Sequence, residues 1–250
     1  MIEKASFSAH SYKNLLSALA EARFVSVGYE DAEPKKRHMI LRHDLDMSLD
    51  AALVMADIEA ELGMRANYFV LLRTEMYNPW SKAGRSAIRQ LREMGHEIGL
   101  HFDASLYPSG NGLIDAAVAE ECEALEALVG APVTTVSFHR PVKLLQGYPH
   151  KLGGRIHAYQ PRFFYEMGYC SDSRGAWFHG HPLDHPAVVE GRAIQLLTHP
   201  IWWARSTPLE PVDALDRFRI ERDQILARSL AENCDPYRDA YGDDPAGPSN

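Results

Sequence analysis

Short apolar runs alternate along this chain with stretches whose apolar residues recur at helical spacing, and that alternation most narrows the folds open to it. Extended runs are read at residues 40–43, 66–72, 97–101, 134–138, 169–170 and 193–199. Helical patterns fill 11–24, 48–62, 81–94, 113–129, 160–167 and 211–230. Ser48 stands where an N-cap is expected, and Gly63, Gly95 and Gly130 follow the last turns of their segments. Strands separated by helices of this length predict parallel βα units in one α/β domain. The reading takes 1–233 as a single domain with residues 1–33 as a helical N-terminal extension. Residues 234–250, rich in Pro, Gly and Asp, are expected to be a mobile polar tail. Two irregular segments, 141–157 and 173–190, are long enough to be functional loops.

Composition removes several classes. A net charge of −8 with no basic stripe argues against nucleic-acid binding. No apolar run is long enough to span a bilayer. The N-terminal residues lack an apolar core of the secretory type. Cys122, Cys170 and Cys234 are too far apart for a disulfide framework or a C-x-x-C knuckle. The expected compartment is the cytoplasm. Neither a phosphate-binding glycine motif nor a G-x-S-x-G elbow is present.

Ionisable residues gather at the ends of the predicted strands. The first ends in Asp44 and Asp46, the next in His101 and Asp103, and others in His139–Arg140, Asp172 and His199. In parallel α/β folds the C-terminal strand ends form one rim where sites assemble. Any one of these residues alone reads as surface polarity; five strands with the same ending read as a site. Asp44 and Asp46 are two apart, so both point to one side, ~6.5 Å from each other. Gly99 shares a face with His101 and leaves room there for a ligand or another backbone. Carboxylates and imidazoles are ordinary ligands for a divalent ion such as zinc, which uses three protein ligands and an open position in catalytic sites. A further carboxylate can then take a proton from water, and a separate histidine can protonate a leaving group.

The motifs resemble those of the polysaccharide deacetylases (NodB-like, carbohydrate esterase family 4), in the branch whose first motif reads Arg-His-Asp-x-Asp. "RHDLD", "GHEIGLHFDAS", "FHRP", "SDSRGAW" and "LLTHP" follow one another in the family's order between about residues 39 and 203. The resemblance implies a distorted (β/α)7-type barrel and metal-dependent hydrolysis of a carbohydrate acetyl group, N-acetyl foremost, in polysaccharide biosynthesis. It implies a single divalent ion, zinc first among candidates. Asp44 matches the general base, His101 a metal ligand, and His199 the general acid. Asp172 and Trp177 match the motif that orients the acid and lines the pocket.

Two departures from the family pattern shape the ligand set. Leu45 stands where the family's metal-binding aspartate would, so Asp46 is taken as its substitute, with the roles of Asp44 and Asp46 exchangeable. Ser105 stands where a second histidine would, so His139 is taken as the third ligand, with Ser105 or water as the alternative. Arg140 is then expected to hold Asp44. Trp202 and Trp203 read as core, or one of them, Trp202 foremost, as stacking on a sugar; Arg174 is a candidate for pairing with Asp172 or an anionic substrate group. His43 reads as packing behind the site. His96 reads as structural, a cation at a helix end. His179, His181 and His185 read as an exposed loop rather than a second metal site. Two other functions stay open: a barrel amidohydrolase cutting a non-sugar C–N bond, and a non-catalytic glycan-binding relative.

Overall fold

The run Met39–Leu41 is buried at every residue because it lies in the interior strand of a parallel sheet covered on both faces. The computed structural model describes residues 7–108, 111–140, 145–178 and 180–242. Contacts divide the chain into two compact units, Met1–Pro208 and Leu209–Asn250.

The first unit contains β1 (Val25–Ser26), β2 (His38–Leu45), β3 (Asn67–Leu71), β4 (Glu97–Phe102), β5 (Thr135–Phe138), β6 (Ile156–His157), β7 (Gly168–Ser171) and β8 (Ile194–Thr198). Seven of these lie in the order β6-β5-β4-β3-β2-β8-β7, and every pairing is parallel. β1 pairs with the first residues of β2, below the point where β3 takes over at Arg42. Helices α1 (Ala9–Glu21), α2 (Leu49–Glu61), α3 (Lys82–Glu93) and α4 (Asn111–Val129) flank the sheet, with short helices α5 (Pro161–Phe164), α6 (Pro186–Val189) and α7 (Pro200–Trp203) later in the chain. The result is an α/β distorted barrel in a single domain. Ser48 caps α2 by accepting from the Ala51 N–H at 3.1 Å, a contact of about 1 kcal/mol. Gly63 follows α2 with φ +66°, a conformation that costs most other residues strain.

The sheet curls strongly. In a flat sheet β2 and β4, with β3 between them, would stand roughly 9–10 Å apart. Asp46 beyond β2 nevertheless lies 2.9 Å from His101 of β4 and 3.3 Å from His139 beyond β5. Only convergence of the inward faces, as in a barrel, brings such side chains together. Polar groups help tie the two ends of the sheet. Gln195 of β8 donates to the carbonyls of Ala158 and Phe163 at 3.1 and 3.2 Å, and accepts from Tyr29 at 2.6 Å.

Several expectations shift in detail. The two-residue β1 and the four-residue α7 carry too short a pattern to be read from periodicity. The irregular segment 173–190 holds α6 and two single 3-10 turns. Residues 141–144 and His179 lie outside the described residues. The space beside Gly99 is not open to a ligand: it is filled by the Phe69 ring and the Thr135 hydroxyl. Among the described residues no helix is long and apolar enough to cross a membrane.

The second unit comprises α8 (Pro211–Asn233) and α9 (Asp235–Tyr241), each with proline in its first turn, where a missing N–H costs nothing. α9 falls inside the segment whose composition reads as a polar tail.

A Cβ at Gly99 would sit 2.5 Å from Phe69 ring carbons and 2.8 Å from Thr135 Oγ1, both in a filled interior. We expect Gly99→Ala to destabilise the protein by roughly 1–3 kcal/mol in urea denaturation. An unchanged unfolding midpoint would contradict this packing.

Candidate active site

Alternation along β2 puts Arg42 and Asp44 inside the barrel, with Asp46 following just past the strand end, while His43 faces the helices. Tyr77, from the segment after β3, holds the end of this strand by donating to the Leu45 carbonyl at 2.7 Å.

Arg42 is fully buried, and its guanidinium closes on Asp44 with two hydrogen bonds, Nε to Oδ1 at 3.0 Å and Nη2 to Oδ2 at 2.8 Å. Nη2 also donates to the Tyr159 hydroxyl at 3.2 Å, and the guanidinium lies 4.8 Å from the Tyr159 ring centre. This corrects the expectation for Arg140. Its backbone turns away after β5 with φ +52° and leaves the side chain exposed, whereas Arg42 shares Asp44's face two residues earlier. Burial presses the Asp44 carboxyl upward, but Arg42 and then His101 outweigh it and hold the pKa below the usual carboxylate value. Ser137 of β5 donates to Asp44 Oδ1 at 3.1 Å and lies 2.6 Å from His101 Nδ1.

Next to Asp44 stand Asp46, His101 and His139, which offer one nitrogen or oxygen each, all within 4.8 Å of one another. His139 is positioned by its N–H, which extends the β4–β5 ladder to the Phe102 carbonyl at 2.9 Å. Asp46 Oδ1 is buried and has no hydrogen-bond partner, although His101 Nε2 and His139 Nδ1 are 2.9 and 3.3 Å away. A carboxylate oxygen and two imidazole nitrogens facing one another without hydrogen bonds are a donor set that fits a divalent cation. Ser105 is turned elsewhere, donating to Asp103 at 2.6 Å.

On the far side of β2, Asp172 at the end of β7 gathers three donors. It accepts from His199 Nδ1 at 2.6 Å, from the His199 backbone N–H at 3.0 Å and from the Trp203 indole at 2.6 Å. The Nδ1–H is thereby assigned, and His199 Nε2 lies 3.8 Å from Asp46 Oδ2. Burial lowers the pKa of His199, but Asp172, with Asp46 and Asp44, raises it to about 9.

Trp177 is 7% exposed, with its ring centre 5.8 Å from that of Trp203, so it buttresses this dyad from behind. Trp202 is 9% exposed, and its indole nitrogen has no partner. In this arrangement neither indole offers an open face to a sugar. Arg174 is exposed and lies 4.5 Å from the centre of the Phe178 ring, while the oxygens of Asp172 are taken by His199 and Trp203.

Sequence reasoning overlooked Arg42, Ser137 and Tyr159, and gave Trp203 no part in holding Asp172. Arg42 and Ser137 each sit two residues before a residue it did single out, which was the available signal. His43 is buried behind the site, 2.6 Å from Glu59 and 2.7 Å from Thr198. His96 is structural but not a cation: its Nδ1 accepts from the Ala66 N–H, and burial lowers its pKa.

No family model and no curated relative matches this sequence. Solved structures with a similar arrangement include the deacetylase PplD of Streptococcus pyogenes in complex with acetate, at 10% identity over 80% of this chain and 85% of that one, TM-score 0.47. A family 4 carbohydrate esterase from Bacillus anthracis shares 15% identity over 84% of this chain and 86% of that one, TM-score 0.42. A family 4 pseudoenzyme, also from Bacillus anthracis, shares 13% identity over 76% of this chain and 61% of that one, TM-score 0.42. Likenesses this distant assign neither family nor activity, so the function rests on the site's own geometry.

His199 has a folded-state pKa raised from 6.5 to about 9, so its pairing contributes stability in full below 6.5 and loses it as pH rises through about 9. We expect the unfolding free-energy gap between wild type and His199→Gln, measured on metal-free protein, to be widest below pH 6.5 and to close above about 9. A gap that is flat across this window would contradict the pairing.

Proposed function

We propose that this chain is a metal-dependent hydrolase that removes an acetyl group, N-acetyl foremost, from a carbohydrate. One observation carries the reading: the buried, unpartnered Asp46 Oδ1 faces His101 and His139, with an ionised carboxylate on one flank and a protonated imidazole on the other. The choice of acetyl and sugar comes from the motif resemblance.

Asp46, His101 and His139 would hold the ion. A divalent cation bound there supplies Lewis-acid polarisation of the acyl oxygen and acidifies the attacking water. The chain's own groups perform the proton transfers. Asp44 accepts a proton from the water as its oxygen bonds to the acyl carbon. Arg42 keeps that carboxylate ionised and fixes its direction. His199 then gives its Nε2 proton to the departing amine nitrogen as the C–N bond breaks, leaving acetate. Asp172 holds the Nδ1–H and stabilises the imidazolium before transfer, and Trp203 holds Asp172.

Acetate release from the zinc-loaded chain tests the reading on a panel of N- and O-acetylated sugars, with cyclic amides alongside. We expect release from at least one N-acetylated sugar, and a loss of roughly 10²–10⁴-fold in kcat for Asp44→Asn with metal retained. Opening of a cyclic amide without acetate release would move the chain to the amidohydrolase reading. Sugar binding with no turnover of any substrate would move it to the non-catalytic one.

A further inference from the structure

We propose that Ser137 is a positioning residue: it sets which nitrogen His101 presents to Asp46 and His139, and ties that choice to the orientation of Asp44. The proposal rests on reading those three residues as a metal centre.

The argument is a count of protons. Ser137 is fully buried on β5, directly across from His101 on β4, and both side chains point into the barrel. A serine hydroxyl has one proton to donate. Asp44 takes the Arg42 guanidinium protons at both oxygens and stands as an acceptor, so the contact of 3.1 Å between Ser137 Oγ and Asp44 Oδ1 uses the serine proton. The 2.6 Å contact with His101 must then run the other way, with Nδ1–H donating to Ser137 Oγ. In a neutral imidazole the remaining nitrogen carries the lone pair. That nitrogen, Nε2, is the one 2.9 Å from Asp46 Oδ1.

Arg42 closes the chain of bonds at its other end by donating to both Asp44 oxygens. His101, Ser137 and Arg42 therefore form one directed series of donors that ends on Asp44. Remove the hydroxyl and two things change. His101 gains access to the opposite tautomer, in which Nε2–H points at Asp46 and its lone pair leaves the cluster. Asp44 Oδ1 also loses one of its two donors. Outer partners that orient a ligand histidine affect metal affinity strongly.

The test compares zinc affinity, by competition with a chromophoric chelator, in wild type, Ser137→Ala and Ser137→Thr. We expect about 10- to 100-fold weaker binding in Ser137→Ala and near-wild-type binding in Ser137→Thr, which restores the hydroxyl. Nitrogen-15 NMR of metal-free protein, recorded across a pH series, gives an independent readout. The Nδ1–H form should dominate in wild type, and the Nε2–H form should rise in Ser137→Ala. If Ser137→Ala does not fold, Ser137→Thr against Ser137→Val makes the same comparison at nearly equal volume. Unchanged affinity and an unchanged tautomer on losing the hydroxyl would overturn the proposal. Neither readout uses a substrate, so a failure to release acetate would count against the hydrolase reading alone. If zinc does not bind even wild type, the metal-centre reading fails and the tautomer measurement still decides the role of Ser137.

Discussion

A guanidinium enclosed in a barrel interior is tolerated only if its charge is matched, and the Arg42–Asp44 pair meets that demand. The cost of moving either ion out of water is several kcal/mol, and a buried pair that loses one partner loses roughly 3–5 kcal/mol of stability. The bidentate closure and the Tyr159 contacts leave Asp44 ionised and pointing one way. The polar groups beside it inside the barrel follow from that fixed carboxylate. Ser137 spends its proton on it, His101 is oriented through Ser137, and Asp46 follows two residues later on the same face.

The other face of β2 carries a second buried network. Glu59 of α2, with no exposure, accepts from Tyr12 of α1 and from Tyr68 of β3, and lies 2.6 Å from His43. Burial presses the Glu59 carboxyl upward, and His43 first among its partners outweighs that and keeps it ionised. His43 reaches Thr198, the residue before His199, while Tyr12 packs against Trp203, which holds Asp172. Strand β2 thus meets a buried polar network on each face. Inward groups bear on the Asp46–His101–His139 cluster, and outward groups brace the strand ends that carry His199 and Asp172.

How much of this could be read from the residues alone follows from the distance over which each signal acts. Strand ends are local, so Asp44, Asp46, His101, His139, Asp172 and His199 could be picked out together, and the structure brings their side chains to one rim. Helix α2, with Ser48 before it and Gly63 after it, is equally local. The motif order points to Arg140 for the guanidinium on Asp44, whereas period-two geometry along β2 favours Arg42. Ser137 depends on the β4–β5 register, and the role of Trp203 on a contact with Asp172 thirty-one residues earlier, neither of which has a local signature. Gly99 was read as space for a ligand because sequence cannot show that the Phe69 ring fills it. The cation expected at His96 assumed an exposed helix end, and burial makes that imidazole neutral.

The central claim is that Asp46, His101 and His139 together hold one cation between the Asp44 base and the His199 acid. Anomalous diffraction at the zinc edge, from crystals of the full chain grown with zinc, tests it most directly. The account predicts a single strong peak within bonding distance of Asp46, His101 and His139. A peak placed on other residues, or no peak at saturating zinc, would contradict it.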